Sequence, residues 1–368
     1  MTRKTARQVC VYGVICLAIL AVPSFIDDAF ILNKYARYLV LGILAMSLSL
    51  SWGYTGILNL GHAVSFGLGS YCLAMSLKLK TVPVHTGKSG LPDFMVWNNV
   101  TELPLIWQPF QSLAFGLAAG ILVPVTLAAF LGWFMFKGRI TGVYVAIITL
   151  AWLVVVNLLI IDQQQFTGGF NGITDLAQLE VFGFTFDAYD SSLYYLIAIC
   201  LTVSLFFALA ITKSKAGLIL QAVRDHEDRV RYFGYDVANF KIFAFCVSAG
   251  IAGLAGMLYT IVNEFASPTF LGVPISLGIV IWVAVGGRQS LLGAMLGAII
   301  VTGMQGALSE SKIFLESWTL IMGLFFVAIV LFMPKGLAGG VDQLMKRFSS
   351  STNGEPVKRK TGIEEGSQ

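Results

Sequence analysis

Apolar stretches long enough to cross a membrane recur along nearly the whole chain of 368 residues, separated by short polar connections. A bilayer core about 30 Å thick requires roughly 20 apolar residues per helix. The pattern therefore predicts an all-α polytopic membrane protein with about ten transmembrane helices. The predicted spans are 9–26, 38–56, 60–78, 113–136, 140–161, 192–212, 239–262, 275–286, 291–308 and 317–333.

The third and eighth spans differ from a simple membrane helix. Segment 275–286 is short for a complete crossing, and four glycines crowd the second and third spans, namely Gly56, Gly61, Gly67 and Gly69. Non-helical backbone is tolerated at membrane depth only where protein shields it. We therefore expect broken or re-entrant helices in these regions.

Several glycines are spaced four residues apart. Two glycines at this spacing share one helix face, which lets a neighbouring helix approach closely. We expect close helix contacts at three such pairs: Gly116 with Gly120, Gly138 with Gly142, and Gly293 with Gly297.

The composition changes the picture by excluding a soluble protein. Hydrophobic residues make up 57% of the chain and charged residues only 12%, against roughly 25% charged in an ordinary soluble domain. The net charge of +4 gives no reason to expect nucleic-acid binding. The cysteines all fall in apolar runs without a C-x-x-C spacing, so we interpret them as small buried residues. They are Cys10, Cys16, Cys72, Cys200 and Cys246.

The first apolar run follows Arg3, Lys4 and Arg7 and resembles a signal peptide. Because many further spans follow it, an uncleaved first helix is the better interpretation. Residues 1–340 then form a transmembrane domain. Residues 341–368 form a cytoplasmic tail, which is predicted to be disordered because it is rich in Ser, Gly, Lys and Glu.

Basic residues concentrate in one set of connections. Lys and Arg occur in 137–139, 213–241 and 335–360 and at Arg288, whereas the stretch 162–190 contains neither residue. Short cytoplasmic connections carry an excess of Lys and Arg. We therefore expect these basic connections and both termini to lie on the cytoplasmic side, and 162–190 and 79–112 to lie outside.

The predicted spans carry no Asp, Glu, Lys or Arg except near their ends, as at Glu264. Ion-coupled and proton-coupled carriers usually need such groups on their path, so gradient coupling is disfavoured. The histidines His62, His85 and His226 lie on separate segments without spaced partners. We therefore predict no catalytic residue and no metal site, and an intramembrane enzyme is disfavoured.

The basic connection 214–234 has its own periodicity. Apolar residues recur at helical spacing at Leu220, Val223, Val230 and Phe233, while 224–229 is an unbroken polar run. Gly234 can close this helix and Asp236 can cap the next one. The pattern predicts a short helix outside the bilayer. It is either a solvated connection with snorkelling basic residues or a docking helix for a cytoplasmic partner.

The same segment resembles the coupling loop of the branched-chain amino acid and urea ABC permeases. The pattern Gly-x-x-x-x-Ala-x-Arg-Asp-x-Glu is matched by Gly217, Ala222, Arg224, Asp225 and Glu227. Other matching stretches follow in order. They are 53–67 (GYTGILNLGHAVSFG), 141–151 (TGVYVAIITLA), 166–172 (FTGGFNG), 284–287 (AVGG) and 331–337 (LFMPKGL).

The resemblance implies a heteromeric importer in a bacterial inner membrane. In that family, two homologous permease subunits form a pore, an extracytoplasmic binding protein delivers the solute, and two cytoplasmic ATPases drive transport. ATP and magnesium are then bound by the partner ATPases, and this chain binds no cofactor. Charged groups on a docking surface set specificity and association rate, so Arg224, Asp225 and Glu227 are expected to contact an ATPase.

The outer connection resembles the urea branch of this family. The insertion 90–97 (GLPDFMVW), followed by 102–104 (ELP) and 107–110 (WQPF), supports urea as the solute. The alternatives are branched-chain amino acids or short amides in the same kind of importer. A different class, an ATP-independent channel or carrier for a small neutral solute, also stays open.

Polar residues inside the apolar spans are candidates for the solute path, although such residues more often hydrogen-bond a neighbouring helix. His62 could bind urea, but a role in holding the adjacent glycine-rich turn is favoured. The candidates are Asn59, His62, Ser65, Tyr144, Thr149, Asn157, Tyr259 and Gln305.

Overall fold

The computed structural model describes residues 3–85, 91–181 and 183–310, with isolated positions between 320 and 339. Its α-helices within residues 3–310 are Arg3–Ala21 (α1), Ala29–Thr55 (α2), His62–His85 (α3), Asp93–Trp97 (α4), Leu113–Lys137 (α5), Val143–Asp162 (α6), Gln164–Thr167 (α7), Ser191–Lys213 (α8), Lys215–Asp225 (α9), Glu227–Tyr232 (α10), Val237–Asn263 (α11), Val273–Gly286 (α12) and Leu291–Glu310 (α13).

The helical, multi-pass architecture predicted from the apolar runs is confirmed. Within the described residues, six helices are long and apolar enough to cross a membrane: α2, α5, α6, α8, α11 and α13. The predicted tenth span, 317–333, falls largely outside the described residues, and the predicted tail, 341–368, lies entirely outside them. The count of ten spans therefore stays a prediction.

Helix α2 occupies the centre of the bundle. It packs against α11, α13 and α8, and α11 packs in turn against α3 and α5. The most apolar window of α2 is 89% buried, whereas those of α5 and α6 are each 28% buried. α2 is thus shielded by protein, while α5 and α6 present most of their surface outward, to lipid or to another chain.

Small residues allow these helices to approach closely. A Cβ atom added at Gly253 of α11 would meet the Gly120 carbonyl and the Pro124 ring of α5. The predicted contact at Gly120 is therefore present. The pair Gly138 and Gly142 does not share a helix face, because these residues lie in the connection between α5 and α6.

α2 begins nine residues before the start that the apolar pattern predicts. Asp28 caps it, since its carboxylate accepts hydrogen bonds from the Phe30 amide (2.9 Å) and the Ile31 amide (3.3 Å). Lys34 and Arg37 interrupt the apolar run and thereby hid this first part of the helix. The expected absence of charge concerned the predicted span 38–56, and both basic residues lie in the part of α2 that precedes it.

Interruptions of regular helix occur near the expected positions. Gly56 ends α2 with a left-handed backbone (φ 77°), and residues 56–61 run without helix to α3. Helix α12 has 14 residues, which at 1.5 Å per residue gives about 21 Å, less than a full crossing. A buried 3₁₀ turn, Pro268–Leu271, precedes it.

The all-α prediction missed one small β-hairpin. Strands β1 (Leu179–Val181) and β2 (Phe184–Phe186) pair antiparallel in the connection before α8. Nearby, Ile173 forms a β-bridge with Ala266, which fastens this connection to the segment that follows α11. Strands this short carry no periodic pattern that a sequence reading could detect.

Candidate functional site

One end of the bundle collects basic connections that are far apart in sequence. We call it the basic end, defined by Lys137, Arg224, Lys241 and Arg288. The ammonium of Lys137 lies 2.8 Å from the Asp236 carboxylate. The structure thus brings the predicted cytoplasmic connections together, while the membrane side that they face stays a prediction.

The segment 214–234, here called the coupling segment, lies at the basic end. It forms two helices, α9 and α10, that break at His226, rather than the single helix predicted. Ser214 caps α9 by accepting a hydrogen bond from the Gly217 amide (3.3 Å). The apolar residues Leu220, Val223 and Val230 are buried, but Phe233, the fourth residue of the predicted apolar spacing, is exposed. The polar run between Val223 and Val230 also ends one helix and begins another.

Two residues of the coupling motif differ in their packing. Gly217 is buried, and a Cβ atom at this position would meet the Ile211 and Thr212 carbonyls at the end of α8. Ala222, in contrast, is exposed. Gly217 therefore seats α9 against α8, while Ala222 leaves a small surface open.

Arg224 joins the coupling segment to the end of α2. Its guanidinium donates a hydrogen bond to the Gly53 carbonyl (2.7 Å) and another to the Asp225 carboxylate (2.9 Å). Gly53 is tightly enclosed, because a Cβ atom there would meet the Arg288 carbonyl. Arg224 thus ties α9 to the C-terminal end of α2.

Glu227 joins the coupling segment to α11. Its carboxylate accepts hydrogen bonds from the Lys241 ammonium (2.6 Å) and the Arg231 guanidinium (3.0 Å). The Lys241 side chain is only 9% exposed, and its ammonium lies 5.7 Å from the centre of the Phe136 ring. Since a buried cation requires a partner, the Glu227–Lys241 pair is the stronger link of the two.

Carboxylates at the basic end are stabilised in their charged form. The hydrogen bond from Arg224 holds the pKa of Asp225 below its ordinary value, and the hydrogen bond from Lys137 does the same for Asp236. A lowered pKa stabilises the fold above the ordinary carboxyl range, and that stability is lost only as the pH falls through the lowered value. Both residues are therefore charged at neutral pH.

The outer surface of the coupling segment is aromatic at its tip. Tyr232 and Phe233 are 91% and 82% exposed, and Tyr235 is also exposed. Gly234, with φ 86°, makes the turn between them. Large exposed aromatic side chains are enriched in protein interfaces, so the tip has the chemistry of a docking surface.

Four of the predicted solute-path residues lie around the break between α2 and α3. Asn59, His62, Ser65 and Thr149 are all buried. The Leu60 amide donates to the Thr149 hydroxyl (3.1 Å), and the Gly61 amide donates to the Asn59 side-chain carbonyl (2.9 Å). The hydrogen bonds of this group fix the non-helical backbone.

His62 is fully buried with both ring nitrogens in contact. Nε2 lies 2.6 Å from the Ser47 hydroxyl, which itself donates to the Leu44 carbonyl (2.6 Å). Nδ1 lies 3.3 Å from the Asn59 amide nitrogen. Since the Ser47 proton is used, Nε2 donates and Nδ1 accepts, which is a neutral imidazole. This geometry supports the structural role favoured for His62.

The other four predicted path residues are spread over the molecule. Tyr144 is 72% exposed on the outside of α6, away from the bundle interior. Asn157 donates to the Pro268 carbonyl (2.7 Å) and holds the turn before α12. Tyr259 and Gln305 line one cavity together.

Two cavities are lined by predicted solute-path residues, and a third lies beside the coupling segment. One of about 20 Å³, lined in part by Asn59, Gly61 and Ser65, has room for about one water molecule. One of about 150 Å³ lies at the basic end beside Arg224 and Glu227. The largest, of about 400 Å³, lies between α2, α11, α12 and α13.

The sequence analysis did not identify the contact partners of Arg224 and Glu227, which are Gly53 and Lys241. Gly53 begins the matching stretch 53–67, and Lys241 lies on the helix that follows the coupling segment, so both lay within reach of the motif comparison. Lys34 and Arg37 gave no such signal, because they stood outside the predicted span. Within residues 3–85, 91–181 and 183–310, no group of three His, Cys, Asp or Glu side chains could hold a metal ion.

A bundle of apolar helices with interrupted central segments, and a charged helical segment anchored at one end, defines a multi-pass membrane protein of the permease class. The comparison with protein families agrees with this class. The chain belongs to the family described as branched-chain amino acid transport system / permease component, whose model matches residues 30–330.

Individual relatives are more distant. The chain is 26% identical to the high-affinity branched-chain amino acid transport system permease protein LivM of Salmonella typhimurium, over 85% of this chain and 71% of that protein. It is 25% identical to a probable LivM permease of Methanocaldococcus jannaschii, over 80% and 89% of the two chains. It is also 28% identical to a probable LivH permease of that organism, over 42% and 50%. No solved structure matches the chain.

Proposed function

We propose that this chain is one permease subunit of an ATP-driven importer and that its solute is a branched-chain amino acid. The observation that carries the proposal is the family match over residues 30–330. The descriptions of the LivM relatives support branched-chain amino acids rather than urea. The urea interpretation rests only on the local connection around residues 90–110.

The proposed complex contains four kinds of partner. They are a second homologous permease, two cytoplasmic ATPases that bind ATP and magnesium, an extracytoplasmic solute-binding protein, and the lipid bilayer. The similarity to both LivM and LivH supports pairing with a homologous subunit. The broad outward surfaces of α5 and α6 are available to that subunit or to lipid.

The contacts of the coupling segment support different roles for its exposed residues and for its anchored residues. Asp225, Tyr232 and Phe233 are exposed and form the surface that docks on the ATPase. Arg224 is hydrogen-bonded to Gly53 of α2, and Glu227 to Lys241 of α11. Through these contacts, a movement of the docked coupling segment reaches both helices. This proposal keeps Asp225 as an ATPase contact and gives Arg224 and Glu227 a relay role beside their predicted contact.

The test is ATP hydrolysis by the complete complex in liposomes, measured with the binding protein and with leucine or urea as the added solute. We expect leucine to stimulate hydrolysis and to accumulate inside the vesicles only when ATP is present. Stimulation by urea alone would reverse the choice of solute while keeping the importer. Solute entry that needs no ATPase would contradict the importer and favour a channel or carrier.

A further inference from the structure

The cavity between α2, α11, α12 and α13 lies in the half of the bundle remote from the basic end. It has a volume of about 400 Å³, within the range of roughly 300–1,000 Å³ that is usual for small-molecule sites. Its walls come from α2, α11, α12 and α13. Helix α2 is central to the bundle, and α12 is a short helix preceded by a 3₁₀ turn. Central and discontinuous helices are expected to line a transport path.

Two basic side chains, Lys34 and Arg37, line the cavity, and they differ in their ion pairing. Lys34 is paired with Glu310 across its mouth, with the ammonium 2.6 Å from the carboxylate. Arg37 lies about one helical turn deeper on α2. Among the described residues, no carboxylate lies within ion-pair distance of Arg37, and its buried Nε atom has no hydrogen-bond partner.

An arginine in this state is costly inside a membrane protein. Charged side chains within spans are rare and mark functional paths unless they are paired. A guanidinium presents planar donors that match a carboxylate through two parallel hydrogen bonds. Arg37 therefore has unused capacity for an anionic group that the described chain does not supply.

The remaining walls divide into polar and apolar parts. Tyr259 and Gln305 bring a hydroxyl and an amide to the cavity, while Leu41, Ile275 and Trp282 bring apolar surface. A site with one cation, a few neutral polar groups and an apolar wall suits a small ligand with a carboxylate at one end and an aliphatic group at the other.

We infer that this cavity is a binding site on the permease path for an aliphatic amino acid, with Arg37 bound to the α-carboxylate and the side chain against Ile275 and Trp282. The inference rests on the proposed function and adds a site to it. Glu310 is occupied by Lys34, so the amino group of the ligand is left to Gln305 and the Tyr259 hydroxyl.

The first test compares leucine uptake by complexes that carry wild-type Arg37, Arg37→Gln or Arg37→Lys, with the same binding protein and ATPases throughout. Loss of a charge-assisted contact weakens recognition by about tenfold or more, so Arg37→Gln should lower the uptake rate by about that factor. Arg37→Lys keeps the charge but loses the paired geometry, and we expect an intermediate rate. Tyr35→Phe, a substitution on the same helix outside the cavity, should behave as wild type.

The second test detects binding directly. A cysteine introduced as Ser309→Cys, at a cavity-lining position that makes no contact with the proposed ligand, is labelled with a charged thiol reagent in the assembled complex. The labelling rate is corrected for that of the chain without this change. Leucine should slow the labelling, and leucinamide, which lacks the carboxylate, should not. Adding Arg37→Gln should remove the protection by leucine.

These outcomes distinguish a failure of the proposed site from a failure of the proposed function. If wild type takes up leucine and Arg37→Gln takes it up equally fast, the site is wrong and the importer stands. If wild type takes up urea and not leucine, the proposed function itself fails. Should Arg37→Gln not assemble, the labelling of Ser309→Cys decides alone, and equal protection by leucine and leucinamide contradicts the site.

Discussion

At the scale of single residues, the buried polar side chains mainly stabilise non-helical backbone through hydrogen bonds. His62 and Asn59 hold the turn between α2 and α3, and Asn157 holds the turn before α12. Buried polar groups must be paired, and here the pairing partner is the chain itself. Burial of a polar residue within an apolar span is therefore weak support for a role in solute binding.

His62→Ala should destabilise the permease. The change removes the imidazole contacts of the Ser47 hydroxyl and the Asn59 amide nitrogen in a closed space, at a cost of about 1–3 kcal/mol. We expect a lower unfolding temperature in detergent, with His226→Ala, an exposed histidine of the coupling segment, as the matched control. Lost leucine transport with an unchanged unfolding temperature would instead place His62 on the solute path.

Arg224→Gln should weaken the link between ATP hydrolysis and transport. Without the guanidinium, the Gly53 carbonyl loses its 2.7 Å contact with α9, so a movement of α9 no longer reaches α2. We expect basal hydrolysis to persist while stimulation by solute falls several-fold. The exposed Arg229→Gln serves as control, and equal stimulation in the two variants would refute the relay role of Arg224.

At the scale of elements, the coupling segment shows what a helical pattern can and cannot predict. The apolar spacing of Leu220, Val223 and Val230 correctly indicated a helix face packed on the bundle. It did not indicate the break at His226, because the residues on both sides keep nearly the same period. The break is stabilised by Glu227, whose partner Lys241 lies in another helix.

The Glu227–Lys241 pair should be the most sensitive contact between α10 and α11. Glu227→Gln leaves the buried Lys241 ammonium without its carboxylate, and we expect a loss of about 1.5–3 kcal/mol of stability. The double variant Glu227→Gln with Lys241→Met should lose less than the sum of the single changes. Unfolding of all three variants in detergent measures this, and strictly additive losses would show that the pair contributes nothing as a pair.

At the scale of the whole molecule, the permease is one part of a larger assembly. Its basic end presents the aromatic tip of the coupling segment, and its outer helices α5 and α6 present apolar surface. The internal contacts at Gly53 and Lys241 connect that tip to the centre of the bundle. In the proposed importer, this arrangement lets the coupling segment act on the helices to which it is anchored.

Tyr232→Ala with Phe233→Ala should release the ATPases. Exposed aromatic anchors carry a large part of interface energy, often about 2 kcal/mol or more each. We expect at least a tenfold weaker association of the ATPases with the permease in pull-down titrations, at an unchanged unfolding temperature of the permease alone. Asp228→Asn, a neighbouring exposed residue, is the control, and full ATPase binding by the double alanine variant would exclude the tip as the docking surface.

The sequence by itself determined the class of protein, most of the spans and the coupling segment. These follow from composition, from the length of apolar runs and from a contiguous motif, all of which are local properties of the chain. The sequence also placed Asn59, His62 and Thr149 in buried positions, because polar residues inside apolar spans have few other places to lie.

Only the tertiary structure decided which of these residues meet. Gly53 lies far from Arg224 along the chain, and Lys34 is separated from Glu310 by almost the whole permease, yet both pairs are in contact. Tyr144 was excluded from the interior because helix orientation depends on packing partners and not on the apolar run alone. Arg37 became a candidate site residue for the same reason, since the walls of its cavity come from helices that no local pattern connects.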